Sequence, residues 1–550
     1  MKEWKGKTLC DLWDHAAEVY RDKEFVVSGL GRITYGKMDG LVNRFAAGLM
    51  HLGVKRGDKV AIWMPNNSNW ALAEFAVIKS GATMVPISTR FKAYDLEYIL
   101  KQSDASVLLM AGSLGKIDFY EVLLKVCPEI ASNRSGVIDC KKLPLLRNVV
   151  LFDDRAMPGC LSPSQVMEMA QDVSAEELRK RSLEIRADHV INIPYTSGTT
   201  GFPKGVMLTH EQYLGQTVCF RERLGIRTGD RFIAIAPFFA NFGNYFGLLL
   251  PAMVGGCSIM IESYDPALVL ELIERERVTH FSGTPTMYLD IFGHPNFHGT
   301  GISSLRTAMT GAAPAPVQMV KDVYSKMGVQ VLCNGYGMTE NSGCTTMTEC
   351  GDRPEVLAET TGRPLPGVSI CIKDSATGER LEAYEVGELC TKGWLVMKGY
   401  YKMEKETKES FDHEGYFHTG DLGMLDPEGN FIITGRLKEM FISGGFNVYP
   451  VEVENFLYSM PGIKNVSITG IPDSRMGEVG MAFVVLKYDH QLSEQDIISY
   501  CKDHIAAYKV PKYVAFRSEL PMAGIGKVQK YLLIEEGLKE LARRGIALPI

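Results

Sequence analysis

Short, almost uninterrupted apolar runs separated by amphipathic stretches restrict most tightly what this chain can fold into. Residues 59–64 read as such a strand, 69–80 as a helix closed by Gly81, 83–87 as a strand, 95–102 as a helix and 105–110 as a strand. A strand without polar alternation must be buried on both faces, and the intervening helices cover it. The pattern therefore specifies a parallel, helix-covered sheet. Upstream, Thr8 and Asp11 can form a capping box before an apolar-periodic stretch to Tyr20, and residues 34–52 read as an amphipathic helix stopped by Gly53. The alternation resumes with strands at 232–236, 279–282 and 330–333 and helices at 268–276 and 316–326. Beyond Gly435 the style changes: short strands (466–470, 482–488) flank helices (451–460, 494–507), which reads as a small α+β domain. Residues 111–187 are more polar, carry a charged helix at 174–186 and show no chemical signature.

Charge and composition narrow the class. At 550 residues the chain exceeds one ordinary domain. Lys+Arg of 59 against Asp+Glu of 65 gives a net charge of −6, no footprint for non-specific nucleic-acid binding. From Phe232 to Ile261 no charged residue occurs, long enough for a membrane span. Pro237, Asn241, Asn244, Pro251 and four glycines interrupt it, so it reads instead as strand, loop, short helix and strand, a candidate pocket wall. The first twenty residues carry no secretory or transit pattern, and the 12 cysteines include no CxxC pair. Reduced, mostly buried thiols and a cytoplasmic location are expected.

The 54 glycines are not periodic, and the most informative of them cluster. Tyr195-Thr-Ser-Gly-Thr-Thr-Gly-Phe-Pro-Lys-Gly205 follows an apolar strand and packs three glycines, hydroxyls and one lysine into eleven positions. Glycines let backbone N–H groups approach an anion, hydroxyls donate hydrogen bonds and lysine supplies a point charge, so the string reads as a phosphate cradle. It is not a Walker A loop. Neither an HExxH metal site nor an internal repeat occurs.

This string resembles the phosphate-binding signature of the adenylate-forming superfamily, which comprises acyl-CoA synthetases, firefly-type luciferases and adenylation domains of peptide synthetases. Further segments resemble its motifs in the required order: Gly311-Ala-Ala-Pro314, Asn334-Gly-Tyr-Gly-Met-Thr-Glu340, Tyr416-Phe-His-Thr-Gly-Asp421, Gly435-Arg-Leu-Lys438, Ser443-Gly-Gly-Phe-Asn-Val-Tyr-Pro-Val-Glu-Val-Glu454 and Gly526-Lys527. The match covers essentially the whole chain.

The resemblance implies an α/β fold. Residues 1–436 would form a large adenylation domain of helix-covered sheets with a distorted β-barrel subdomain, and 437–550 a small, mobile α+β domain. It implies an AMP-forming acyl-CoA synthetase using ATP, Mg²⁺ and coenzyme A. ATP and AMP contacts are expected from Thr196, Ser197, Gly198, Thr199, Thr200, Gly201, Gly311, Ala312, Ala313, Pro314, Asn334, Gly335, Tyr336, Gly337, Thr339, Asp421, Ile433 and Arg436. Tyr336 would stack on adenine, Thr339 meet the α-phosphate, Glu340 hold Mg²⁺ and Asp421 take the ribose hydroxyls. Lys527 is the implied catalytic lysine, with Lys204, Thr339 and Glu340 also catalytic. Lys438 is the implied hinge, and Ser443, Gly444 and Gly445 would border coenzyme A. The charges make physical sense: a carboxylate attacking the α-phosphorus brings two anions together, and cations must neutralise that approach and the departing pyrophosphate.

The acyl pocket is expected from Phe238, Phe239, Ala240, Phe242, Thr284, Gly311, Gly337 and Met338, with Tyr245 nearby. Ala240 stands where many relatives have histidine. Amino-acid-activating relatives place an aspartate in this region, and none lies in 232–261. Acetate-activating members have tryptophan at the position of Gly337. A medium-chain, alicyclic or aromatic acid is therefore expected. The alternative is an acyl-adenylate former with another second step, transfer to a carrier protein or luciferase-like oxidation. Only 23 residues follow Lys527, which argues for free coenzyme A as acceptor, and Gly255-Gly-Cys-Ser258 reads as a turn rather than a pantetheine site. The expected partners are a small-molecule acid, no nucleic acid and no membrane span, in a monomer or homodimer. Pro521-Met-Ala-Gly-Ile-Gly-Lys527 fits the Pro-x₄-Gly-Lys pattern acetylated in some acyl-CoA synthetases, which implies a lysine acetyltransferase and deacetylase as further partners.

Overall fold

The computed structural model describes residues 4–133, 136–196, 202–297, 301–311, 315–488, 490–522 and 528–546. The chain divides into two units: residues 1–369 with 392–411, and residues 370–391 with 412–550.

The first unit is built on two sheets. In one, the strands run in the order Leu208–Thr209, Val190–Asn192, Thr83–Pro86, Lys59–Trp63, Ala105–Ala111, Asn148–Phe152, Cys160–Leu161. Its central strands are parallel, as their apolar runs require. The helix Ser68–Ser80 that joins two of them is buried on almost every side, with only Asn69 half-exposed. It begins on the side chain of Asn67 and ends on Gly81 in the left-handed region, at φ +76°. Trp13 stacks on its Phe75 with ring centroids 4.1 Å apart. The expected capping box also forms: Thr8 accepts from the Asp11 N–H, and the Asp11 carboxylate accepts from the Thr8 N–H.

The other sheet positions the site. Its core runs Cys257–Met260, Arg231–Ala234, His280–Gly283, Thr307–Gly311, Val331–Tyr336, all parallel. Arg231–Ala234 comes first in sequence yet lies between Cys257–Met260 and His280–Gly283, so the direction of winding reverses there. Ligands of open α/β sheets bind outside the carboxyl ends of the strands at such a point. The uncharged stretch is a strand, a helical segment with one π turn at Tyr245–Leu249, and a second strand. Among the described residues no helix is long and apolar enough to cross a membrane. All 12 cysteines lack disulfides, and ten are buried, Cys160 and Cys350 being the others.

The second unit holds a four-stranded sheet in the order Val368–Lys373, Gly387–Gly393, Phe417–Leu425, Phe431–Arg436. It also holds an α+β body in which Ile463–Asp473 and Gly477–Leu486 form a long antiparallel ladder. Helices Pro450–Tyr458, Glu494–His504 and Lys530–Arg543 accompany that ladder. Lys438 falls inside this unit.

Candidate active site

In the first unit the cradle begins as a two-residue antiparallel ribbon. Tyr195 pairs with Gly205 and Thr196 with Lys204, so a hydroxyl and an ammonium stand opposite each other at its mouth. Ser197, Gly198, Thr199, Thr200 and Gly201 lie outside the described residues. The ribbon is anchored from below. The Tyr195 hydroxyl donates to Gln102 Oε1, Gln102 donates to Tyr401 O at 2.8 Å, and the Tyr98 hydroxyl donates to Pro203 O at 3.0 Å. The backbone of 205–207 continues into hydrogen bonds with 398–401.

That pairing places Tyr400, which the sequence reading missed, at the centre of the charged groups. Lys204 Nζ lies 4.6 Å from its ring centroid, a cation–π contact, and its hydroxyl donates to Glu340 Oε1 at 3.0 Å. Burial and the Glu340 carboxylate push the Tyr400 phenol well above its ordinary range, so it stays a donor. Glu340 is buried on the short turn after strand Val331–Tyr336, and its carbonyl accepts from Met397 N at 2.7 Å. A buried carboxylate suits a hard cation that takes one or two carboxylates and completes its shell from phosphates and water, as Mg²⁺ does.

Tyr336 and Asn334 are buried on that strand, whereas Met338 and Thr339 are half-buried beyond its end. The Asn334 amide donates to Leu357 O and Thr360 O, at 2.9 and 3.0 Å, so part of its capacity holds the loop behind the strand. Gly311 closes the neighbouring strand opposite Gly335. Ala312, Ala313 and Pro314 lie outside the described residues. Gly337 is glycine for a backbone reason: a Cβ there would stand 2.1 Å from Gly343 O and 2.5 Å from Cys344 Cα. Its small size therefore reports close backbone approach at least as much as room for an acid.

The acyl candidates separate by burial. Phe239, Ala240 and Phe242 are half-buried after strand Arg231–Ala234, and Thr284 is half-buried after His280–Gly283. Phe238 is fully buried beside Trp70, and Tyr245 is fully buried, its hydroxyl donating to Ser342 O at 2.7 Å. The wall is pinned by residues that motif reading could not find. The Asn66 amide donates to Ala236 O at 2.7 Å, and its carbonyl accepts from Phe238 N at 2.8 Å. Glu74 accepts from Trp70 Nε1 at 2.8 Å and Asn244 Nδ2 at 2.6 Å, and burial pushes its carboxyl up to about 7.

In the second unit Asp421 and Arg436 are register partners on neighbouring strands, with Arg436 Nε 3.0 Å from Asp421 Oδ1. Asp421 is buried and Arg436 half-exposed. The turn before Asp421 is fixed by Glu388, whose Oε1 accepts from Gly420 N at 2.8 Å while Oε2 lies 2.8 Å from His418 Nδ1. Thr419 Oγ1 donates to Leu389 O and accepts from Asp421 N. Ile433 is half-buried on the adjoining strand, and Lys438 is exposed. Ser443, Gly444, Gly445 and Phe446 form a two-residue hairpin turn. Gly444 (φ +59°) and Gly445 (φ +88°) both take the left-handed backbone that a type I′ turn demands. Lys530, also missed, pairs with Glu439 at 3.0 Å and Glu454 at 2.8 Å, tying the segment after Lys438 to the helix that follows 523–527. Burial alone would lower its ammonium, but the two carboxylates outweigh it and raise it. Lys527 lies outside the described residues.

Two family profiles match the chain. The profile described as AMP-binding enzyme matches residues 13–401, and that of the AMP-binding enzyme C-terminal domain matches 452–527. The chain is 37% identical over 541 residues to the putative acyl-CoA synthetase YngI of Bacillus subtilis, covering 98% of each. It is 36% identical to the 3-[(3aS,4S,7aS)-7a-methyl-1,5-dioxo-octahydro-1H-inden-4-yl]propanoyl:CoA ligase of Rhodococcus jostii, over 95% of this chain and 97% of the relative. Human medium-chain acyl-CoA ligase ACSF2 is 32% identical over 97% of this chain and 88% of its own length. ATP-bound MatB from Rhodopseudomonas palustris superposes with a TM-score of 0.82 at 26% identity, covering 96% of this chain and 98% of that one. The anthranilate CoA ligase AuaEII with anthranoyl-AMP gives 0.80 at 26% identity, over 96% and 97%.

The chain therefore belongs to the AMP-binding enzyme family, with the mixed α/β fold of adenylate-forming enzymes. It is an acid–thiol ligase, an AMP-forming acyl-CoA synthetase that uses ATP, Mg²⁺ and coenzyme A on a small carboxylic acid and passes through an acyl-adenylate.

Proposed function

We propose that the acid is medium-chain, alicyclic or aromatic rather than acetate or an amino acid. The observation that carries this reading is the wall after strand Arg231–Ala234, where Phe239, Ala240 and Phe242 are half-buried in a stretch without a charged residue. A substrate ammonium there would be buried unpaired, at a cost of several kcal/mol. Glu74, an acid bonded to this wall, is spent on Trp70 and Asn244. Relatives named for a medium-chain acid and for a ring-bearing propanoate, and a structural neighbour named for anthranilate, lie on the same side.

The proposed roles follow from charge. The cradle and Lys204 hold the phosphates, Tyr400 fixes Lys204 and Glu340 against each other, and Thr339 meets the α-phosphate. Tyr336 stacks on adenine, with Gly311, Asn334, Gly335, Gly337 and Ile433 lining the nucleotide. Asp421 accepts from the ribose hydroxyls with Arg436 beside it. Mg²⁺, held by Glu340, would supply positive charge to the phosphates. Lys527 serves adenylation. Movement about Lys438 between residues 1–436 and 437–550 then exchanges Lys527 for the Ser443–Gly445 loop, and the coenzyme A thiol displaces AMP. Acetylation of Lys527 would remove the needed charge and silence the first step. The enzyme works in the cytoplasm as a monomer or homodimer. A panel of acids in pyrophosphate exchange, followed by coenzyme A addition, tests the substrate class: C6–C12, alicyclic and aromatic acids are expected to respond best. A best response to acetate or an amino acid would refute it.

A further inference from the structure

The four-stranded sheet of the second unit holds a pair of thiols that the nucleotide chemistry does not use. Cys371 on Val368–Lys373 and Cys390 on the neighbouring Gly387–Gly393 are both buried and pack together against Tyr416. The Cys390 thiol lies within hydrogen-bonding reach of Cys371 as well as of Glu388 O, which is 3.8 Å away. Hydrogen bonding with Cys390 holds Cys371 below the ordinary thiol range, helped by Lys373 and Arg380, against burial and the Glu414 carboxylate that pairs with both cations. Both cations also lie over Tyr416, 5.1 and 5.3 Å from its ring centroid. The other thiol contact, Cys127 with Cys140, lacks this setting: burial pushes Cys127 up, and its charged neighbour is the carboxylate of Glu129.

Cys390 also stands under the turn that presents Asp421. Its Sγ lies 3.6 Å from His418 Nδ1, which faces Glu388 Oε2, and Glu388 holds the Gly420 N–H next to Asp421. We propose that Cys371 and Cys390 form a peroxide-responsive pair whose disulfide displaces the Glu388–His418–Gly420 contacts and weakens nucleotide binding. The Cys371 thiolate attacks a hydroperoxide, giving the sulfenic acid and, after protonation of the leaving oxygen, water or alcohol. The Cys390 thiol then attacks the sulfenic sulfur, forming the S–S bond and releasing water. Two thiols are oxidised as one peroxide is reduced, and a dithiol reverses the step. An S–S bond of about 2 Å must draw Cys390 toward the strand of Cys371 and away from His418, which lies on the strand on its other side.

The loss of nucleotide affinity rests on the reading of Asp421 as the ribose acceptor, whereas bond formation does not. The experiment treats the reduced full-length protein with hydrogen peroxide, alkylates it and maps its peptides by mass. KM for ATP is measured by pyrophosphate exchange before treatment, after it, and after dithiothreitol. Expected are a 371–390 cross-link lighter by two hydrogens, a several-fold rise in KM for ATP that dithiothreitol reverses, and no such rise in Cys371→Ser or Cys390→Ser. Cys371 and Cys390 that stay alkylatable while exposed Cys350 is oxidised, a cross-link at 127–140 instead, or a 371–390 cross-link with unchanged KM would each overturn the proposal. Asp421→Ala separates the two readings: an unchanged KM for ATP there sinks the ribose role, while the mapped cross-link is judged by mass alone.

Discussion

Replacing Asp421 by alanine tests the nucleotide half of the site, and the structure sets the size of the effect. Asp421 is 3% exposed, its backbone turn is fixed by Glu388 and Thr419, and Arg436 Nε lies 3.0 Å from Oδ1. An oriented carboxylate that accepts from two ribose hydroxyls makes two charge-assisted hydrogen bonds of about 1.5–3 kcal/mol each. Alanine forfeits both and leaves a small gap that water can fill. The expected loss is at least about 3 kcal/mol, or ~10²-fold in KM for ATP. Stability should change little, because the Arg436 side chain is 43% exposed and turns to solvent once unpaired, and exposed pairs are worth about 0–1 kcal/mol. Asp421→Asn keeps one acceptor oxygen and should fall between. The assay is pyrophosphate exchange with ATP varied at saturating acid, beside thermal unfolding of each variant. An Asp421→Ala enzyme with wild-type KM for ATP, or one that unfolds many degrees lower with KM unchanged, would refute the reasoning.

Other outcomes follow from the same geometry. Gly337→Ala should destabilise the first unit by about 1–3 kcal/mol through overpacking, seen as a lower melting temperature with all acids affected alike, since its Cβ meets only backbone at 2.1–2.6 Å. A Gly337→Trp protein that folds normally and switches to acetate would contradict this. His210 and His280 are pushed down to about 3 by burial. Their stability contribution is complete above the unfolded value of about 6.5 and is lost as pH falls toward 3, about 2 kcal/mol per histidine by pH 5. Glu74 acts with the opposite sign: raised to about 7, it costs stability as pH rises from about 4.5 to 7. Glu74→Gln should therefore stabilise the protein at pH 8 by about 3 kcal/mol and steepen the acid limb, and urea unfolding across pH reads both effects. Lys527→Ala should lose adenylation far more than thioester formation from supplied acyl-adenylate, and equal losses in the two half-reactions would remove its assigned role.

What the sequence made legible was local. The strands at Lys59–Trp63 and Ala105–Ala111 announce themselves by unbroken apolar runs, and the helix Ser68–Ser80 by its period and its terminal glycine. The Asp421 turn and the Gly444–Gly445 hairpin are short contiguous strings, readable because one backbone geometry demands one residue pattern. Side chains that act across the fold carry no such pattern. Tyr400 reaches Glu340 from 60 positions away and Asn66 reaches Phe238 from 172, and neither partner's neighbourhood specifies the other. Lys530 belongs to no motif, and the two carboxylates that enclose it, Glu439 and Glu454, lie far from it in sequence. Gly337, read as an acyl-pocket residue, also stands where two backbone segments nearly touch, which no local pattern announces.

The central claim is that the acid's own carboxylate attacks the α-phosphorus of ATP. It is tested most directly with the best acid of the panel, labelled with ¹⁸O in its carboxyl group and turned over with ATP, Mg²⁺ and coenzyme A. Recovered AMP should carry one ¹⁸O atom, with pyrophosphate unlabelled and acyl-CoA formed in equal amount. Unlabelled AMP, or ADP and phosphate as the products, would contradict the account.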